Sequence, residues 1–157
     1  MVSPWKCFVL ALILSFSGFA RAAASNEEII FKNQKITLGD KTFVVKVAKT
    51  QPELERGLML VTKLGDDEGM LFVFNNEETR FFWMKNTLID LSIGFFDKNK
   101  TLIDVQEMKS GQNIPDSSLP SYGSAKPAMY ALEMNKGWFD KNKIKMGSKL
   151  KIYSKVQ

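Results

Sequence analysis

The chain has 157 residues, 45% hydrophobic and 11% aromatic, which is the size of one domain with material for a real core. It contains no histidine and a single cysteine, Cys7, which excludes Ser-His-Asp and Cys-His catalysis, histidine metal centres and a disulfide framework. Its net charge of +5, from 22 basic and 17 acidic residues, is too modest to point to nucleic acid.

The first 24 residues read as a cleavable secretory signal. MVSPWK carries a lysine, CFVLALILSFSGFA is a 14-residue apolar block, and ARAAAS offers small residues at A-x-A spacing. The block is shorter than the roughly 20 residues that span a bilayer. Cleavage is expected after Ala24, with Ala20 and Ala22 as alternatives and an uncleaved anchor as the other outcome. A periplasmic or secreted location follows. Cys7 leaves with the signal, and no apolar run precedes it as a lipoprotein cysteine would need. Losing Lys6 and Arg21 lowers the charge from +5 to +3.

Residues 25–28 form a short leader. EIIFKNQKITLGDKTFVVKVAK reads as strands parted by turns at Asn33-Gln34 and Gly39-Asp40, with Phe43, Val45 and Val47 sharing one face by period-2 alternation. TQPELERGLM reads as a short helix: Thr50 and Glu53 form a capping box, Pro52 sits in the first turn, and Gly57 is the stop. Arg56 falls in its last turn. MLFVF (70–74) is a buried strand, NNEE (75–78) a reversal, RFFWM (80–84) a core strand, and NTLID (86–90) a turn. LSIGFF (91–96) and TLIDVQEM (101–108) form a hairpin around DKNK. Residues 109–127, rich in Ser, Pro and Gly, are a long irregular segment, either a lid or a tolerated loop. AMYALEM (128–134) is a strand, KGWFDKNKIKMG holds one helical turn, and SKLKIYS (148–154) closes the chain. The sum is a mostly β (α+β) domain over 25–157. Seven or eight short strands and two short helices make an antiparallel sheet curled like a barrel.

RGLM (56–59), GMLFVF (69–74), FWMKNT (82–87), a strand ending FFD (95–97) and PAMYALEMNKGW (127–138) occur in this order. Together they make the chain resemble the DUF192 family, also called UPF0127, over roughly residues 42–153. The resemblance implies a compact β-rich barrel with a couple of short helices, in a family whose members lack an agreed biochemical function. Similar proteins usually read L-I-P-L-D after FWMKNT. Here the stretch is Leu88-Ile89-Asp90-Leu91-Ser92, so the usual acid is absent at Ser92 and one appears two places upstream.

The candidate ligand-binding set is Arg56, Trp83, Lys85, Asn86, Thr87, Asp90 and Glu133. Lys85 to Thr87 end a strand, Arg56 ends a helix, and Glu133 is a lone carboxylate in an otherwise apolar strand, costly unless paired. Two readings stand: a pocket at a barrel mouth for a polar or anionic ligand with Trp83 as stacking wall, or an internal pair of Glu133 with Arg56 or Lys85. Met59, Met70, Met84, Met129 and Met134 offer soft thioether ligands or simply core. A Ser92–Lys85 pair or an Asp90–Glu133 carboxylate pair has no motif beside it. Consecutive aromatics in RFFWM require cover on a second face. The lysines of 136–157 read as a solvated strand, or as weak contact with an anionic envelope surface. The expected function is a non-catalytic binding or accessory module, monomeric, with no cofactor and no metal. It would act on a small or envelope-derived ligand. An envelope-polymer hydrolase and a purely structural domain are the alternatives.

Overall fold

Alternation in KTFVVKV becomes a strand with Phe43, Val45 and Val47 buried and Thr42, Val44 and Lys46 exposed. The computed structural model describes residues 28–153, so the expected signal and its cleavage sites lie outside the described residues. Along the chain these are β1 (Lys32–Leu38), β2 (Lys41–Ala48), α1 (Gln51–Arg56), β3 (Gly69–Glu78), β4 (Phe81–Trp83), β5 (Leu91–Phe96), β6 (Leu102–Met108), a 3-10 turn (Asp116–Ser118), β7 (Ser121–Gly123), β8 (Ala128–Asn135), α2 (Trp138–Lys141) and β9 (Leu150–Ile152). Gly39-Asp40 turns β1 into β2 as expected. Asn33-Gln34 instead lies inside β1, because continuous pairing from Lys32↔Val47 to Leu38↔Lys41 overrides the local turn preference of Asn.

Seven strands form one sheet in the order β6-β5-β8-β3-β2-β1-β9. Every pairing is antiparallel except β2–β3, which is parallel with Val47 opposite Leu71. The connection carrying α1 is what permits that parallel step. The sheet curls until its two ends meet: Thr101 bridges Lys149, and Leu102 N–H and Leu150 N–H donate to Ser148 O and Lys100 O, each at 2.9 Å. The architecture is therefore the mostly β, barrel-like one expected, with nine strands among the described residues.

The sheet buries both faces. The enclosed face carries Ile36, Val45, Leu71, Phe96, Leu132 and Leu150, and α2 plugs it with Trp138 and Phe139. A side chain at position 94 would put its Cβ 2.6 Å from Phe139 Cζ, so Gly94 is what admits that ring. The opposite face carries Met70, Phe72, Ile93, Phe95 and Ala131. Its cover is Leu58 after α1, Met84, and Phe82 of β4. Phe82 meets Phe72 and Phe95 edge-on at 5.0 and 5.7 Å. β5, with all six residues buried, lies between these two layers.

Two local readings change here. NNEE does not reverse the chain; it continues β3 to Glu78 through a register shift against β8 after Val73. RFFWM is not a strand of the main sheet. β4 pairs only with β7, out of the segment read as irregular, and the pair lies across the outer face. So Phe82 packs inward while Phe81 and Trp83 are 71% and 51% exposed. The expected cover over the second aromatic face of RFFWM is thus absent among the described residues: the segment lies over the sheet as a flap with its outer side exposed.

Candidate functional site

The flap leaves a cavity of about 460 Å³ between itself, α1 and the sheet. α1 is set by Glu53, whose carboxylate accepts from Thr50 N–H at 2.9 Å and Lys49 N–H at 2.8 Å. Those bonds hold its pKa below the ordinary carboxylate value. Gly57 ends the helix at φ 46, which turns Arg56 and Met59 toward the cavity. Leu60 N–H then donates to Asn86 O at 2.9 Å, tying this segment to the turn in which Thr87 N–H reaches Met84 O at 3.1 Å. Asn86 takes φ 52, a left-handed conformation Asn tolerates well. Phe72, Phe74 and Phe82 supply the aromatic wall.

Five of the seven candidates line this cavity: Arg56, Trp83, Lys85, Thr87 and Glu133. Asn86 and Asp90 do not. Asn86 contributes its backbone to the turn. Asp90 lies against another segment, where its carboxylate accepts from Ser110 N–H at 2.7 Å and pairs with Lys136 at 3.0 Å. The Ser110 N–H, with Lys136 assisting, holds Asp90 below the usual carboxylate range. An Asp90–Glu133 pair is thus not brought together.

Glu133 is the chemically unusual group. Met129, Ala131 and Glu133 share a face of β8 as the alternation predicts, and its cross-strand partners are Met70 and Ile93. It is 5% exposed. Among the described residues no hydrogen bond or ion pair reaches its carboxyl, and no sealed side-chain oxygen is left unsatisfied, so its oxygens open on the cavity they line. Burial pushes the carboxyl up to about 8. The internal pair with Arg56 or Lys85 is absent. The Lys85 ammonium instead meets Asp116 of the 3-10 turn at 2.5 Å and lies 5.1 Å from the centroid of the Trp83 ring.

Arg80 also lines the cavity and was not among the candidates. Its side chain is engaged on every side: Nε donates to Ala128 O at 3.1 Å, Nη2 donates to Asn76 O and, at 2.7 Å, to Asn76 Oδ1, and Glu78 lies 3.7 Å away. The guanidinium stacks on Phe74 at 4.1 Å. Its place at the head of RFFWM was the available signal, obscured because a core strand gives its flanking arginine nothing to do. Of the methionines, Met70 and Met84 pack together in the outer-face cluster, Met134 packs in the enclosed one, and Met59 lines the cavity.

Position 92, where similar proteins usually carry an acid, lies beside a carboxylate from another strand. Ser92 faces the enclosed side of β5, and its hydroxyl donates to Glu107 Oε1 at 2.6 Å while accepting from Gly137 N–H at 2.7 Å. Glu107, across the hairpin on β6, brings the carboxylate to the corner where β8 enters α2.

The DUF192 family profile, described as "Uncharacterized ACR", matches residues 34–152. No curated protein matches the chain. Among solved structures, a "putative transcription regulator" from Sinorhizobium meliloti 1021 is similar at TM-score 0.70 and 25% identity, over 80% of this chain and 97% of that one. A protein of unknown function from Novosphingobium aromaticivorans DSM 12444 is similar at TM-score 0.64 and 30% identity, over 77% of this chain and 84% of that one. With its motifs, its barrel-like sheet and a match over most of its length in agreement, the chain belongs to the DUF192 family.

Proposed function

We propose that the chain is a non-catalytic binding module whose cavity takes a small polar or anionic ligand, in the periplasm or outside the cell. The observation that carries this reading is the convergence of Arg56, Trp83, Lys85, Thr87 and Glu133, from three separate segments, on one cavity of about 460 Å³. That size lies within the roughly 300–1,000 Å³ of small-molecule sites, and an aromatic wall with a few polar groups is their usual composition. A catalytic reading lacks support of this kind, because Lys85 and Ser92 have separate partners and Asp90 lies outside the lining.

The test is a thermal-shift screen of the chain against envelope sugars, short peptides and organic anions. Stabilisation by one of these classes is expected, abolished by Trp83→Ala and weakened by Lys85→Ala. If no class stabilises the protein and both variants melt as the wild type does, the reading fails. N-terminal sequencing of the chain recovered from a bacterial periplasm tests the location, with Ser25 expected first.

A further inference from the structure

Of the three cations bordering the cavity, two already have anionic partners: Lys85 has Asp116 and Arg80 has Glu78. Arg56 is exposed at the rim and makes no ion pair among the described residues. At the floor, Glu133 is nine-tenths buried with its oxygens turned into the cavity and no protein donor upon them. The two groups without partners are therefore an exposed cation and a buried carboxyl on one cavity. Phe72, Phe74 and Phe82 line it with them. A buried carboxyl is costly without a hydrogen-bonding partner, and an aromatic wall favours an ammonium or an apolar body.

We propose that the occupant is a zwitterion of amino-acid type: an amine seated against the Glu133 carboxylate, an apolar body along the phenylalanines, and an anionic group at Arg56. The inference rests on the binding reading above and specifies the ligand class of that same cavity. Bringing an ammonium to the floor ionises Glu133, whose proton leaves to solvent, because the attraction of an adjacent cation outweighs the preference of the buried group for its neutral form. The charged groups bordering the cavity besides Glu133 are Glu55 and Arg56 of α1 and Arg80 and Lys85 flanking β4; β3 and β5 present only Met70 and Ile93 beside Glu133.

The test is isothermal titration of the chain with L-phenylalanine, phenethylamine and 3-phenylpropionate, near neutral pH, in two buffers of different ionisation enthalpy. L-phenylalanine is expected to bind tightest and phenethylamine next, each releasing close to one proton. Glu133→Gln should abolish the release and weaken both at least about tenfold, the scale of about 1.4 kcal/mol. Arg56→Ala should reduce L-phenylalanine to the level of phenethylamine. Binding of 3-phenylpropionate alone, or amine binding with no proton release and no loss in Glu133→Gln, overturns the inference and leaves the cavity a binding site. Failure of all three compounds also overturns it, while a sugar or organic-anion response in the thermal-shift screen keeps the binding reading standing.

Discussion

Glu133→Gln should make the protein more stable in alkaline solution and remove most of its pH dependence above acid pH. In the unfolded chain this carboxyl ionises near 4.5, and in the fold burial delays ionisation to about 8. The folded state therefore holds a proton that the unfolded state has released, and stability falls as pH rises through that interval. The proton-linked contribution is fully present below the unfolded value, declines from there, and is exhausted above about 8. At about 1.4 kcal/mol per tenfold change in proton affinity, the whole effect is on the order of 5 kcal/mol, comparable with the net stability of a small domain. Glutamine keeps the shape and cannot ionise. Urea unfolding of both proteins from about pH 5 to about pH 9 should show the wild type losing several kcal/mol while the variant stays nearly flat. Glu53 and Asp90 do not blur the comparison. Their lowered pKa values give stability that is lost on acidification, in the window below that of Glu133. If the two curves run parallel within about 0.5 kcal/mol, Glu133 is not a carboxyl held neutral by burial.

Ser92→Asp restores the acid usual in similar proteins, yet it should destabilise this one by about 1–3 kcal/mol. It sets a carboxylate where the hydroxyl now meets Glu107 at 2.6 Å, and the double variant with Glu107→Gln should recover most of the loss by chemical denaturation. Equal stability of the two variants would show that the new carboxylate does not meet Glu107. Gly94→Ala should cost about 1–3 kcal/mol by the same measurement, since its methyl would meet Phe139 at 2.6 Å; an unchanged midpoint would mean that α2 shifts freely.

Much of this structure is readable in the sequence where the causes are local. The alternation of Phe43, Val45 and Val47, the Thr50–Glu53 box and the Gly39-Asp40 turn are set by neighbours within a few residues, and each appears where expected. RFFWM misleads because consecutive aromatics look the same whether a strand lies within a core or across it. Only the partner decides, and β7 is some 40 residues away in a segment with weak strand signals. At the site, the convergence of Arg56, Trp83, Lys85, Thr87 and Glu133 follows from motifs that end elements on one side of the sheet. The pairing of charges does not. The partner of Lys85 is Asp116, an exposed acid in a loop, and nothing in the spacing of 31 residues singles it out.

The meeting of Thr101 with Lys149 has a consequence for association between molecules. An open seven-stranded sheet would present two rows of unpaired backbone groups, each a template for a strand of another chain. Here β9 turns its outer edge toward the start of β6, so the two rows face each other at that end. Farther along β6, Gln106 donates to Gly123 O at 2.7 Å and Asp104 accepts from Ala125 N–H at 3.0 Å, holding the chain after β7 alongside. Lys149 and Lys151 stand along the seam, where their charge repels an incoming strand. The lysines at this end of the sheet thus stand where a charge disfavours pairing with a further strand.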